Sequence, residues 1–349
     1  MKKKVLLLAA LAALVCAPVA LELAVRVSGY SAPFWYRPDP QLGWTLRPGT
    51  QGWFTKEYAT EGRVFVSVND AGFRDRDHTL DKPEDVFRIA VLGDEHAEAM
   101  QVELKDTWWF LLGQQLEGCW VAGGKRVEVL NFGITSYGTA QELVMLETVA
   151  MRYQPDLVLL QFSAGNDVQN NSFALAREME RPFYRVDAKG VPRIDESFNT
   201  SPKFARHAAP SHEIARRIGD RSRAVQWLSM LPEGKSRVGV HKALLGPPPN
   251  ELWEEAWRIT EALILRMSDY SRRNGAKFAI ATVPATSESS YGEQRIAALA
   301  TKHHIPAVTV NLETSAYYRT RWNAEGQRRA AELIATSLCG SRDRRLRSE

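Results

Sequence analysis

Five short runs rich in Val, Ile and Leu, each followed by a helical pattern, restrict this chain more than any other feature. The runs lie at 87–92, 126–132, 156–162, 277–283 and 306–311, and none shows the alternation of a half-exposed strand. Strands of that kind are covered on both faces, as in a parallel sheet. Helical patterns follow at 107–117, 139–153, 250–273, 291–302 and 323–338. Five βα units predict a doubly wound, flavodoxin-like α/β sandwich of three layers around a five-stranded parallel sheet. Its site is expected at the carboxyl ends of the strands.

The segments outside this rhythm set the predicted organisation. Met1-Lys-Lys-Lys4 precedes an apolar run from Val5 to Val25, broken only by Pro18 and Glu22. At about 1.5 Å per residue that run matches roughly the 30 Å hydrocarbon core of a bilayer. Lysines before it and a lone Arg26 after it predict a single-pass inner-membrane anchor with the bulk of the chain in the periplasm. The rival reading is a cleaved signal, using Ala17 or Ala20, which would release the protein. Cys16 is a poor lipidation site, because bulky Val15 precedes it. Residues 26–80 form a Pro/Gly-punctuated arm, with a hairpin expected between Gln51–Tyr58 and Arg63–Val68. The main domain is placed at 81–340 and a basic tail at 341–349.

One long insertion, 168–250, interrupts the rhythm after the third strand and ends in Gly246-Pro-Pro-Pro-Asn250. Leaving the carboxyl end of a strand, it is expected to fold over the site as a lid or to present a partner surface. It carries Arg216, Arg217, Arg221 and Arg223, which read either as a patch for an anionic polysaccharide or as an ordinary solvated helix face. With no CxxC, HExxH or spaced His/Cys cluster, neither a metal nor a cofactor is expected. The net charge of +4 over 349 residues leaves no nucleic-acid footprint.

Chemistry is placed by four short blocks: Gly93-Asp94-Glu95, Asn131-Phe-Gly-Ile-Thr-Ser-Tyr-Gly-Thr-Ala-Gln141, Gly165-Asn166-Asp167 and Trp322-Asn-Ala-Glu-Gly326. Their order and spacing resemble the four blocks of SGNH/GDSL hydrolases, most closely the membrane-anchored bacterial members with an arm before the first block. The turn Asn69-Asp-Ala-Gly-Phe-Arg74 adds to the likeness, which covers roughly 60–339. No single block is specific, but four in register on alternating elements are much stronger. The resemblance implies an SGNH-type sandwich and, in intact members, acyl-ester hydrolysis or transfer by a serine with an oxyanion hole.

Mapped onto that pattern, this chain departs at the reacting groups. The serine position holds Glu95, the histidine position Arg321, and the orienting aspartate position Tyr318. The oxyanion glycine falls at Ser136, and Asn166 alone survives. A hydrolase of this type needs a hydroxyl, a base to take its proton, an acid to orient the base, and donors for the oxyanion. Glu95 at a helix N-terminus would be a poor nucleophile and would oppose an oxyanion. Arg321 cannot serve as a base. His96 is adjacent, but a neighbouring helical residue points about 100° away from Glu95. These positions, with Asp94, define the expected pocket, in which Glu95 and Arg321 should approach as a carboxylate–guanidinium pair.

The function predicted is that of a catalytically inactive, membrane-tethered SGNH-like binding or assembly subunit, in a protein complex or on a polysaccharide. The alternative is a carbohydrate or acyl-ester esterase or acetyltransferase with a site rearranged around Glu95 and His96. A third reading makes the basic insertion the functional part, docking an anionic polymer, lipid headgroups or a protein. In the flavodoxin-like order the first and last helices share one face and direction. That makes Cys119 and Cys339 either a disulfide or two buried thiols.

Overall fold

The computed structural model describes residues 2–54, 63–187, 189, 191–230, 242–286, 291–318 and 321–340. At positions 2, 3, 5–12, 230 and 318 it describes the backbone only. Helix α1 (Lys2–Val27) forms over the predicted anchor run, with Pro18 inside it. Among the described residues no helix is long and apolar enough to cross a membrane. Part of the predicted anchor, at 5–12, lies outside the residues whose side chains are described, as does the basic tail 341–349.

The arm folds as two small antiparallel hairpins. β1 (Tyr36–Asp39) pairs with β2 (Gly43–Leu46), and β3 (Gln51–Phe54) pairs with β4 (Val64–Ser67). The second lies where hairpin patterning predicts one, its tip at 55–62 being outside the described residues. The first is unforeseen. Trp35, Leu46, Phe54, Val64 and Val66 close a small core of their own beside Met100.

The five main strands are β5 (Val86–Leu92), β6 (Arg126–Asn131), β7 (Leu157–Ser163), β10 (Lys277–Val283) and β11 (Ala307–Thr309), all parallel. Across the sheet the order is β11-β10-β7-β5-β6. Every residue of β5 and of β7 is buried, the property that removes alternation from their sequence. Within β5, Ala90 and Leu92 join the core on one face while Ile89 and Val91 join the other. The direction of winding reverses between β5 and β7, so their carboxyl ends flank the crevice where such sheets bind ligands.

Helices cover both faces. After β5 come the single turn α2 (Glu95–Glu98) and α3 (Trp108–Leu116). After β6 comes α4 (Thr139–Thr148), and after β7 comes α5 (Asp167–Asn171). The insertion supplies the hairpin β8 (Phe183–Val186) with β9 (Pro192–Asp195), then α6 (Pro202–His207), α7 (Pro210–Arg221) and α8 (Arg223–Met230). α9 (Glu251–Arg273), capped by the Asn250 side chain, follows it. α10 (Tyr291–Lys302) links β10 to β11. The pair β12 (Tyr317–Tyr318) with β13 (Arg321–Trp322) then leads into α11 (Ala324–Gly340).

Three expectations change in detail. The helical pattern 139–153 ends as α-helix at Thr148 and finishes in a 3₁₀ turn, Ala150–Tyr153. The last strand shrinks from 306–311 to Ala307–Thr309, because it is an edge strand paired with β10 alone. The later helices of the insertion do not form the lid expected over the site. α7 and α8 turn back onto the arm: the Phe34 amide and the Arg47 guanidinium both hold the Asp220 carboxylate, at 3.2 and 2.6 Å.

Cys119 and Cys339 form a disulfide with a Cα–Cα separation of 5.8 Å. α3 and α11 bring them together, since these helices pack on each other over Trp108, Leu112, Ile334 and Leu338.

Candidate functional site

The site begins at the carboxyl end of β5, where Gly93 is fixed by crowding. A Cβ there would lie 2.5 Å from Gln161 Oε1 and 3.1 Å from the Ala97 Cβ, so only glycine lets the chain turn into α2. Asp94 caps that turn, its side chain accepting the His96 amide at 3.0 Å. The Asp94 amide in turn donates to Gln161 Oε1 at 3.2 Å. Two indoles finish the turn: Trp108 Nε1 donates to the His96 carbonyl and Trp109 Nε1 to that of Ala97. A single turn of helix is therefore held at both ends by side chains from α3 and β7.

Glu95, half-buried, stands first on α2, and its Oε2 accepts the Ser136 amide at 3.2 Å. Ser136 has φ of +64°, the left-handed region that glycine enters freely and serine enters at a cost of about 1 kcal/mol. The glycine that the resemblance places near this position would adopt that backbone freely. The Ser136 N–H is engaged by the carboxylate of Glu95.

Asp94 is the hub on the other side. Asn166, just before α5, donates to Asp94 Oδ2 at 3.0 Å, and the His96 Nδ1 lies 3.3 Å from Asp94 Oδ1. Burial works against the Asp94 charge. The hydrogen bonds and charge of His96 outweigh it and hold the carboxyl at about 2. His96 is buried and packs at a tilt of 60° against Trp322, with ring centroids 4.8 Å apart. His96 thus stands among the pocket residues expected from sequence, in contact with Asp94. A four-residue helix with its cap at Asp94 lets the imidazole fold back onto the capping carboxylate.

Arg321 and Tyr318 are cross-strand partners in the β12–β13 pair, so the histidine and aspartate positions lie opposite each other; the Tyr318 side chain is outside the described residues. β13 packs on α2. The Arg321 charge bears on Glu98, one turn along α2 from Glu95, and on Tyr36. The region after α2 is fastened by Arg74, from the turn noted in the sequence, which donates to the carbonyls of Glu98, Ala99 and Val102.

Several residues here had no place in the sequence reading. Glu98 is fully buried and accepts hydrogen bonds from the Tyr36 and Thr135 hydroxyls. Burial raises its carboxyl, against the pull of Thr135 and Arg321. Trp44 donates to the Thr135 carbonyl and accepts from the Tyr137 hydroxyl, so the arm forms one wall of the site. Behind Asp94, Glu142 and Asp167 are buried carboxyls pushed well up, by burial first and then by neighbouring acids. Asp167 Oδ2 accepts the Ser163 amide, while neither oxygen of Glu142 has a hydrogen-bond partner among the described residues. Among the described residues no cluster of His, Cys, Asp or Glu could hold a metal ion. The one available signal was spacing: Glu98 follows Glu95 by three residues, which places both on one face of a helix.

The arginines of the insertion are largely occupied. Arg216 and Arg217 both pair with Glu213, at 3.1 and 2.9 Å, and Arg223 donates to Ser31 and Gln226.

No family model and no curated protein matches the chain. Solved structures similar to it include an acetylxylan esterase from Geobacillus stearothermophilus in a catalytic-mutant form. It is 10% identical, with a TM-score of 0.38, over 72% of this chain and 93% of that one. A GDSL-like lipase from Bacteroides thetaiotaomicron is 12% identical, with a TM-score of 0.34, over 74% and 91%. A psychrotrophic esterase from Pseudoalteromonas, inhibited by monoethylphosphonate, is 11% identical, with a TM-score of 0.37, over 72% and 96%. Likenesses this distant add nothing to the account of the site, which stands on the strand order and the residues above.

Proposed function

We propose that this chain is an SGNH/GDSL-type protein that has exchanged catalysis for binding, tethered to the inner membrane by α1 and facing the periplasm. One observation carries the reading: the Glu95 carboxylate accepts the Ser136 amide. A serine hydrolase keeps that donor free for the negative charge of its tetrahedral intermediate, a stabilisation worth about 3–4 kcal/mol per donor. Here a negative side chain already occupies it and also replaces the nucleophile. Arg321 in the histidine position adds a permanent cation where a proton acceptor is required. What remains at the winding reversal is a cluster of polar groups, with Glu95 and Asn166 partly exposed, suited to a ligand or a partner protein.

Hydrolysis of p-nitrophenyl acetate by the full chain and by Glu95→Ala tests this. Both should match the buffer rate. Activity in the wild type that Glu95→Ala removes would sink the proposal. The triple variant Glu95→Ser, Tyr318→Asp, Arg321→His restores the three exchanged triad positions, and any ester turnover should appear there and in none of the single variants.

The second reading, an esterase rearranged around His96, is favoured by the Asp94–His96 contact at 3.3 Å, which orients the imidazole as a triad acid would. Against it, the His96 Nε2 is buried without a hydrogen-bond partner among the described residues, and the ring packs at a tilt against Trp322. Wild-type turnover abolished by His96→Gln would favour that reading over ours.

A further inference from the structure

We infer that α7, α8 and the last turns of α1 form a foot that lies on an anionic phospholipid surface beside the anchor. The inference rests on the tethering just proposed and adds a second contact with the same bilayer. Its starting point is Glu22, the acidic interruption of the apolar run in α1. The Glu22 carboxylate accepts the amides of Arg223 and Ala224, at 3.0 and 2.8 Å, and the Ser222 hydroxyl at 2.8 Å. It thereby satisfies the free N–H groups at the start of α8, and α8 packs along α1. Arg26, on the next turn of α1, donates to the Arg221 carbonyl at the end of α7.

These bonds fix the depth of the two insertion helices relative to α1. Below Glu22 the run Val5 to Leu21 extends for roughly 25 Å at 1.5 Å per residue, at the short end of the lengths that span a hydrocarbon core of about 30 Å. Glu22 and Arg26 then stand at the headgroups, and α8 starts at that level.

What α7 and α8 expose suits that depth. Ile214 and Ile218, four residues apart on one face of α7, are 59% and 60% exposed. On α8, Val225, Trp227 and Leu228 are also exposed, and Trp prefers the membrane–water interface. Beside them on α1, Val19, Leu23 and Val27 are likewise exposed. Arg217 and Arg221 follow Ile214 and Ile218 by three residues, on the same face of α7. From 210 to 230 the chain carries Arg216, Arg217, Arg221 and Arg223 against Glu213 and Asp220. Asp220 faces inward to Arg47, and Glu213 is engaged by Arg216 and Arg217. Apolar side chains with a tryptophan and an arginine margin are the composition of a helix lying in a lipid interface. A soluble anionic polymer would use the arginines and leave the isoleucines and Trp227 in water.

The test uses the full chain with Cys16→Ser, reconstituted in nanodiscs of about 70% phosphatidylcholine and about 30% phosphatidylglycerol. An environment-sensitive fluorophore is attached in turn at Ile218→Cys, Leu228→Cys, Val15→Cys and Leu333→Cys, the last on α11. Lipids spin-labelled near the headgroup should remove about half the emission at 218 and 228, and none at 333. Lipids labelled deep in the acyl chain should quench at 15. Quenching at 15 without quenching at 218 and 228 overturns the foot and leaves the anchor standing. No quenching at any site overturns the anchor and the foot together. A blue shift at 218 and 228 without lipid quenching identifies a protein contact and overturns the lipid assignment. Omitting phosphatidylglycerol should weaken quenching at 218 and 228, and unchanged quenching removes the role given to the arginines.

Discussion

Raising the pH from 6 to 9.5 should loosen the fold through one histidine, His78, in the segment joining the arm to the main domain. Its side chain is 6% exposed, with Nδ1 2.8 Å from Glu128 Oε1 and Nε2 3.1 Å from Asp75 Oδ2. The guanidinium of Arg88 holds the other Glu128 oxygen at 2.6 Å. Burial alone would lower the imidazole, but the bonds and charges of Asp75 and Glu128 prevail and lift it from 6.5 to about 9. A group raised on folding stabilises fully below its unfolded pKa. That contribution is lost as the pH climbs through the folded value. The window is therefore pH 6.5 to about 9, and a shift of this size converts to a ceiling of about 3 kcal/mol. Glu128 runs the opposite way: the His78 bond chiefly, with Arg88 behind it, lowers its carboxyl from 4.5 to about 2. Its contribution is present above pH 4.5 and fades as the pH falls towards 2. Because the two shifts share one interaction they are not added. The buried carboxyls of Glu98, Glu142 and Asp167, raised on folding, lower stability as the pH rises above the usual carboxylate range, alike in wild type and in His78→Asn. The margin of wild type over His78→Asn in urea midpoint should therefore be constant between pH 4.5 and 6.5 and shrink towards pH 9.5. An alkaline fall of equal size in wild type and variant would refute the assignment to His78.

Removing the disulfide by Cys119→Ser with Cys339→Ser frees a loop of 220 residues, which in the chain-entropy account costs at most about 5 kcal/mol. The urea midpoint should drop to that of the reduced wild type, and equal midpoints for oxidised and reduced wild type would argue against the bond. Arg74→Ala leaves the carbonyls of Glu98, Ala99 and Val102 without their buried donor. A loss of roughly 3–5 kcal/mol by denaturant titration is expected, and a loss under 1 kcal/mol would show that water takes over the role.

The main sheet was readable because burial on both faces leaves a mark in composition. β5, β7 and β10 coincide with their apolar runs to within a residue, and the edge strand β11, covered less completely, is the one that came out short. The insertion after the third strand and the hairpin β3–β4 were equally visible. Short blocks fixed in order mark the ends of strands, and from them the sequence singled out Asp94, Glu95, Ser136 and Asn166, which the structure joins pairwise as Glu95–Ser136 and Asp94–Asn166. The second wall of the site was not legible. Tyr36 reaches Glu98 across a separation of 62 residues, and such a contact leaves neither periodicity nor spacing behind. Glu142 was invisible for a related reason: in sequence it is a good helix former, and only the packed domain reveals that no water reaches it. The contact of His96 with its own capping residue, Asp94, left no mark in the spacing.

The covalent ring closed by Cys119 and Cys339 leaves the arm and α1 outside it. A pull on the N-terminus is therefore borne first by non-covalent fastenings: the Glu22 cap on α8, the Arg47–Asp220 pair and the His78 contacts. The first two lead into the insertion, which hangs between β7 and α9 within the ring. Load arriving along α1 is thus shunted into that loop, and the wall formed by Tyr36 and Trp44 would peel from the crevice before the sheet felt any tension. Under force the molecule would behave as a latch that opens at the site while its strands stay shut.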